Sequence, residues 1–418
     1  MTAMAPSGAA ATVVPLADYL GRVLGRLRPL PPLDLDLTQA YGNVLAEEVR
    51  APGAVPAFDH AAVDGYAVRV DDVAGVQSGR RIRLNVVGDL SASSWRPVRL
   101  APGTCFSVAA GAPLPAAADA VVPLAWTDQG MASVEVFTVP KRGHGVRRAG
   151  DEVAAGAPLA RAGTYVTPAL VALLAAAGVG HVVVRPCPRV VVVATGDELV
   201  EIGRVSQAGQ VVDANSHALT AASAEAGAHA YRVGICDDDP EALRGLLEDQ
   251  ALRADLVITT GGTGTGPGDM VRRIFGRDGA VAFTDVSVYP CGALGFGTVG
   301  GAEVPIVCLP GDPGAALVGF EVVGRPIIQL LAGAEPVFRP SVKAHLLETV
   351  ASPAGLREFR PAYVAERRGG GYTVQPLSGG PYTLSGLAEA NGLMVLGERV
   401  TTAAAGSTVD VLLLDRRR

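Results

Sequence analysis

Three short glycine-bearing segments each follow a run of apolar residues. They are Thr195-Gly196-Asp197-Glu198 after 190–194, Gly261-Gly262-Thr263-Gly264 after 254–259, and Pro310-Gly311-Asp312-Pro313-Gly314 after 304–309. Glycine lets backbone N–H groups approach ligand oxygens closely, and a helix starting behind such a loop adds positive potential. The chemistry these segments suit is therefore the binding of an anion, phosphate first. The acids beside them, Asp197, Glu198, Asp269 and Asp312, would repel a bare anion unless a hard cation lay between. Mg2+ is normally held by one or two carboxylates together with water and substrate phosphates, and Asp269 and Asp312 are the expected metal ligands. A bland alternative stands beside each piece: a single glycine loop can simply turn the chain, and Asp197 and Asp312 can cap helices. Neither the P-loop spacing nor the dinucleotide-binding fingerprint occurs.

Elsewhere, Asp59 and Asp64 interrupt an otherwise apolar stretch, 58–68. Asp64 sits in an Asp-Gly turn, whereas Asp59 has no evident structural duty. Arg147-Arg148 and Arg272-Arg273 have the fork geometry that grips phosphate oxygens, with solvated surface as the alternative. Lysine is scarce: only Lys141 and Lys343 are present.

The elements that must position these residues follow from periodicity. Continuous apolar strands at 190–194, 254–259 and 304–309 alternate with helices, which predicts an α/β domain with a parallel sheet covered on both faces. Such sheets bind ligands at the carboxyl ends of their strands, where all three loops must lie. Asn215 is the expected cap of one helix and Asp239-Pro240 opens another. An opening helix over 16–27 and a later segment, 168–184, each bury one face only and are expected to pack on each other. Short alternating runs between 58 and 140 predict a small β domain, and a further set after 336 predicts a final one.

Composition bounds the rest. A chain of 418 residues holds several domains, and 49% hydrophobic against 18% charged residues means that it folds. A net charge of −6 offers no uniformly basic face, so nucleic acid is not expected as a partner. The longest apolar run, 169–184, is too short and too interrupted to span a membrane. Residues 1–12 read as an unstructured start with no signal peptide. Five cysteines without a Cys-x-x-Cys pair fit a reducing cytoplasm and no disulfide framework.

With these residues in view, the chain resembles the molybdopterin molybdenumtransferase family, MoeA-type and similar to the C-terminal half of gephyrin. The likeness is carried by 56–67, Gly111-Ala112-Pro113-Leu114-Pro115 with 118–122, Arg147-Arg148-Ala149-Gly150-Asp151, 195–199, the loop from Gly261-Gly262 through Asp269, Leu309-Pro310-Gly311-Asp312-Pro313, and 388–393. It implies an elongated N-terminal domain built from 14–56 and 141–187, an inserted β domain at 57–140, a molybdopterin-binding α/β domain at 188–333 and a C-terminal β barrel at 334–418. It also implies a homodimer that takes adenylylated molybdopterin and molybdate and releases AMP with Mg2+ assisting. By position, Asp59, Glu198 and Asp269 match acids of the family's site, which lies between the sheet domain of one subunit and the inserted domain of the other. Thr195, Gly196, Asp197, Gly261, Gly262, Thr263, Gly264, Gly311, Asp312, Arg147 and Arg148 become the expected substrate-binding residues. A molybdopterin adenylyltransferase is a candidate partner.

The chain departs from the family at several points. A Lys-Pro-Gly-Lys-Pro run is replaced by Tyr289-Pro290-Cys291-Gly292-Ala293, removing both lysines. The second loop reads Gly-Gly-Thr-Gly, which resembles the sister adenylyltransferases. Two other readings therefore stand: a non-catalytic molybdopterin-binding paralogue, and an adenylyltransferase.

Overall fold

A computed structural model describes residues 13–78, 80–94, 96–266, 268–377 and 382–414. The start at 1–12 lies outside the described residues. The opening helix α1 (Leu16–Gly25) turns Leu16, Tyr19 and Val23 inward. Strands β1 (Leu33–Asp36) and β2 (Val44–Leu45) flank the returning strand β8 (His181–Arg185) in one small antiparallel sheet. Between them runs the inserted sheet: β3 (Gly65–Val68), β4 (Ile82–Leu90), β5 (Thr104–Val108), β6 (Ala120–Pro123) and β7 (Ser133–Val136), in the order β6-β3-β5-β4-β7. Helix α2 (Pro168–Ala176) precedes β8 and is capped by the Thr167 hydroxyl.

The sheet domain contains β9 (Arg189–Thr195), α3 (Asn215–Glu225), β10 (His229–Cys236), α4 (Pro240–Ala251), β11 (Leu256–Thr260), α5 (Met270–Phe275), β12 (Val281–Asp285), β13 (Ala293–Val299), β14 (Val304–Leu309) and α6 (Pro313–Gly319). Its strand order is β10-β9-β11-β14-β13-β12. The first four strands are parallel, and the continuous apolar runs of β9 and β11 are buried as strands covered on both faces are. The last two are antiparallel, so the sheet is mixed rather than wholly parallel. The chain then forms a closed five-stranded barrel from β15 (Ser341–Leu346), β16 (Arg357–Glu366), β17 (Tyr372–Pro376), β18 (Gly392–Leu396) and β19 (Thr408–Leu413), with β18 pairing back to β16.

The expectation that the opening helix packs on 168–184 is overturned. Leu16, Tyr19, Val23 and Leu27 enter the core of the sheet domain beside Val190, Val192, Ile327 and Leu331, while Leu170, Leu174, Val182 and Val184 pack among themselves and with Ala40 and Leu45. The reason is backbone pairing. Val14 N–H donates to Asp285 O and Ser287 N–H to Val14 O, both at 2.8 Å, which anchors the helix at the antiparallel edge.

The helical stretch Pro313–Leu331 has the length and apolarity to cross a membrane, but 78% of it is buried inside the protein, as a core helix is. All five cysteines are unpaired, and Cys187 alone among them is not buried. Burial pushes the Cys105 and Cys308 thiols up to about 12. A thiol reagent at neutral pH should therefore modify Cys187 ahead of the others in the native protein, with all five reacting only after denaturation. Rapid modification of two or more native thiols would contradict this packing.

Candidate active site

Strands β9, β11 and β14 are adjacent and parallel, so the loops after them emerge on one edge. There Thr195, Gly196, Glu198, Asp238, Gly261, Gly262, Thr263, Gly264, Gly268, Asp269 and Gly311 line a cleft of about 420 Å³. The loops are in direct contact. Gly261, at φ +95°, lies where a Cβ would stand 2.6 Å from Thr195 O. Gly262, at φ +64°, would place one 3.0 Å from the Val271 amide nitrogen. A Cβ at Gly261 would push the first and second loops apart and one at Gly262 would push the second loop off α5, so both glycines are there for conformation and close approach.

Asn215 locks two loops to each other. Its Nδ2 donates to Thr260 Oγ1 and to Gly311 O, both at 2.8 Å, and Thr260 Oγ1 donates to Pro310 O at 2.8 Å. The cap expected of Asn215 is supplied instead by Asp213, whose Oδ1 accepts from Ser216 N–H at 3.0 Å. Asn215 Oδ1 and Thr195 Oγ1 are buried at this edge without a hydrogen-bond partner among the described residues.

The acids divide into those that face the cleft and those used elsewhere. Asp269 accepts from Gly264 N–H at 2.8 Å and from Gly266 N–H at 2.6 Å, which shapes the second loop. Asp312 Oδ1 accepts from Ala315 N–H at 2.8 Å and so caps α6; it is not among the residues lining the cleft, and this geometry does not carry the metal role expected of it. Asp197 caps no helix, because a short strand, Leu199–Val200, follows; its Oδ1 accepts from Asp238 N–H at 2.8 Å. Asp238 is held above the usual carboxylate range, first by burial and then by the neighbouring charges of Asp197 and Glu198.

Asp238 escaped sequence reasoning. The available signal was the Asp237-Asp238-Asp239 run immediately after β10, a fourth strand ending on the same edge.

The remaining expected residues lie apart from the cleft within one chain. Asp59 lines a separate cavity of about 580 Å³ in the inserted domain with Phe58 and Arg96. Its Oδ1 accepts from Ala149 N–H at 2.8 Å and its Oδ2 is 3.7 Å from Arg148 Nη1. Arg147 pairs with Glu152 at 3.3 Å. These residues form one exposed patch. Asp64 Oδ1 accepts from Ala110 N–H at 2.8 Å, a turn-shaping role.

Among the described residues no three His, Cys, Asp or Glu side chains converge into a metal cage. The cleft instead offers Glu198, Asp238 and Asp269 around an opening, where burial and then the charges of Asp197 and Glu198 raise the Asp238 pKa. That donor set fits a hydrated Mg2+ completed by ligand phosphates, since such an ion needs only one or two protein carboxylates. The cap role of Asp312 is testable. Asp312→Ala should lower stability by about 1 kcal/mol in thermal unfolding while Asp312→Asn, which can still accept from Ala315, retains most of it. Equal losses in the two variants would remove the cap as the explanation.

Comparison with known proteins returns one consistent answer. A family pattern described as the MoeA N-terminal region, domains I and II, matches residues 11–178. A probable molybdopterin binding domain matches 191–330, and the MoeA C-terminal region, domain IV, matches 343–414. Molybdopterin molybdenumtransferase 1 of Mycobacterium tuberculosis is 41% identical over 403 residues, covering 92% of this chain and 95% of the relative. Molybdopterin molybdenumtransferase 2 of the same organism is 39% identical over 394 residues, covering 92% and 96%. The crystal structure of a molybdopterin biosynthesis MoeA protein from Pyrococcus horikoshii superposes with a TM-score of 0.81 at 28% identity, covering 97% of this chain and 100% of that one.

Proposed function

The chain belongs to the molybdopterin molybdenumtransferase family, an enzyme family of molybdenum cofactor biosynthesis, and from that premise we propose that its glycine-loop cleft inserts molybdate into adenylylated molybdopterin and releases AMP. One observation supports this reading above all: three strand-end loops meet in a single cleft that combines backbone amides with Glu198, Asp238 and Asp269.

In this reading the loops at 261–264 and Gly311 cradle the phosphate through backbone N–H groups, Thr195 and Gly196 complete the lining, and Asp197 braces Asp238 from behind. Asp269 and Glu198 are the residues that would hold Mg2+. When bound, that ion would neutralise charge developing on the phosphoryl oxygens. Asp269 has a second duty, because it also orders the loop that touches the phosphate. Asn215 keeps the second and third loops at fixed separation, so the cradle is formed before ligand arrives. Asp59, with Arg147 and Arg148, lies away from the cleft of its own chain; we assign it to the cleft of a second copy in a homodimer. The protein is proposed to work in the cytoplasm, receiving its substrate from an adenylyltransferase.

The two other readings are not favoured, because the relatives named as molybdenumtransferases match along nearly the whole chain rather than over the binding domain alone. The deciding experiment incubates purified protein with adenylylated molybdopterin, Mg2+ and molybdate and measures AMP. Binding without AMP release would overturn the enzymatic reading in favour of a carrier. Adenylylated pterin formed from MgATP and molybdopterin would overturn it in favour of an adenylyltransferase.

A further inference from the structure

The glycine-loop cleft shares a wall with a second groove. Gly264 and Asp269 also line a space of about 520 Å³ whose other side carries Arg272, Arg273, Arg277 and Phe283. Three guanidinium groups thus border one groove against a single lining carboxylate, and that carboxylate already accepts the Gly264 and Gly266 amides. Arg272 and Arg273 occupy the last turn of α5 and Arg277 follows just beyond it.

Arg272 is fixed from two sides. Its Nη1 donates to Thr263 O at 3.3 Å, and its guanidinium lies 5.5 Å from the centre of the Phe283 ring. That is a pre-set orientation for a side chain that otherwise loses much freedom on binding. Arg273 and Arg277 are exposed to solvent. Both line the same groove as Arg272, so an anion seated there would meet guanidinium charge from more than one side. Both lysines of the chain lie outside the sheet domain, so arginine is its cation for anions.

We propose that Arg272, Arg273 and Arg277 form a subsite for a tetrahedral oxyanion, placed so that its occupant meets the ligand of the neighbouring cleft across the Gly264 and Asp269 wall. The inference rests on the function proposed above and deepens it. That reaction involves two tetrahedral oxyanions, the phosphate attached to adenosine and molybdate itself. Guanidinium forks match the paired oxygens of either one.

The test measures equilibrium binding to the full-length protein without Mg2+, using AMP and molybdate as separate probes. It compares wild type with Arg273→Glu/Arg277→Glu, and with Arg277→Gln as a milder change should the double variant unfold. The subsite is supported if the variant binds one probe at least about tenfold more weakly with an unchanged thermal midpoint. Tighter wild-type binding at low salt should shrink in the variant as well. Loss confined to AMP assigns the groove to the adenylate phosphate, and loss confined to molybdate assigns it to the metal oxyanion. Equal affinities in wild type and variant, or a wild type that binds neither probe, would overturn it. AMP release by wild type reports separately on the cleft. Turnover combined with variant binding equal to wild type removes the subsite and leaves the function standing.

Discussion

Replacing Asp269 by asparagine should lower the rate of AMP release about a hundredfold, or about 2.7 kcal/mol in the barrier. Two losses combine. The carboxylate uses one oxygen for Gly264 N–H and the other for Gly266 N–H, at 2.8 and 2.6 Å. Asparagine has only one acceptor oxygen, so one of the two amides would meet an NH2 donor and the loop would have to shift. The charge that draws Mg2+ disappears at the same time. The two contributions separate experimentally: a distorted loop weakens pterin binding with or without Mg2+, whereas lost charge raises the Mg2+ concentration needed for half-maximal rate. Both changes are expected. Unaltered turnover in this variant would take Asp269 out of the mechanism altogether.

The second large effect is structural. Gly314, in the first turn of α6, lies so near the barrel's side of the molecule that a Cβ there would stand 2.0 Å from Tyr382 O and 2.7 Å from Tyr382 C. Both obstacles are backbone, so no rotamer change relieves them. Gly314→Ala should therefore cost about 3 kcal/mol, at the upper end for overpacking, read as a lowered thermal midpoint. Activity should fall with it, because Gly311 of the cleft precedes the same helix. Gly245→Ala is the matched control: it lies inside α4, where an added methyl would have nothing within 4 Å, and should gain about 0.5–1 kcal/mol. A neutral Gly314→Ala would mean that helix and barrel are not held at this distance.

Much of this was legible in the sequence because the chemistry and the periodicity agree. The strands at β9, β11 and β14 are continuous apolar runs that end in glycine, and parallel pairing alone then brings their loops together. The antiparallel pair was not legible. β13 carries Gly295 and Gly297, which look like turn residues; Gly297 is there because a Cβ would stand 1.9 Å from Ala280 O on the neighbouring chain segment. Asn215 read as a cap because caps and bridges use the same amide, and only the fold shows Thr260 and Gly311 within its reach. The partner of α1 was also hidden. Its apolar stripe states that one face is buried but not against what, and a two-residue backbone pairing at Val14 settled the matter.

The berth of α1 bears on how the chain assembles. Leu16, Tyr19 and Val23 are made some three hundred residues before Ile327 and Leu331, which complete the surface that receives them. Over that interval the nascent protein carries an exposed oily helix, an invitation to chaperones. Closing such a long loop late makes this docking a slow step of maturation, and a sheet domain expressed without the first thirty or so residues would inherit a bare groove in place of the helix.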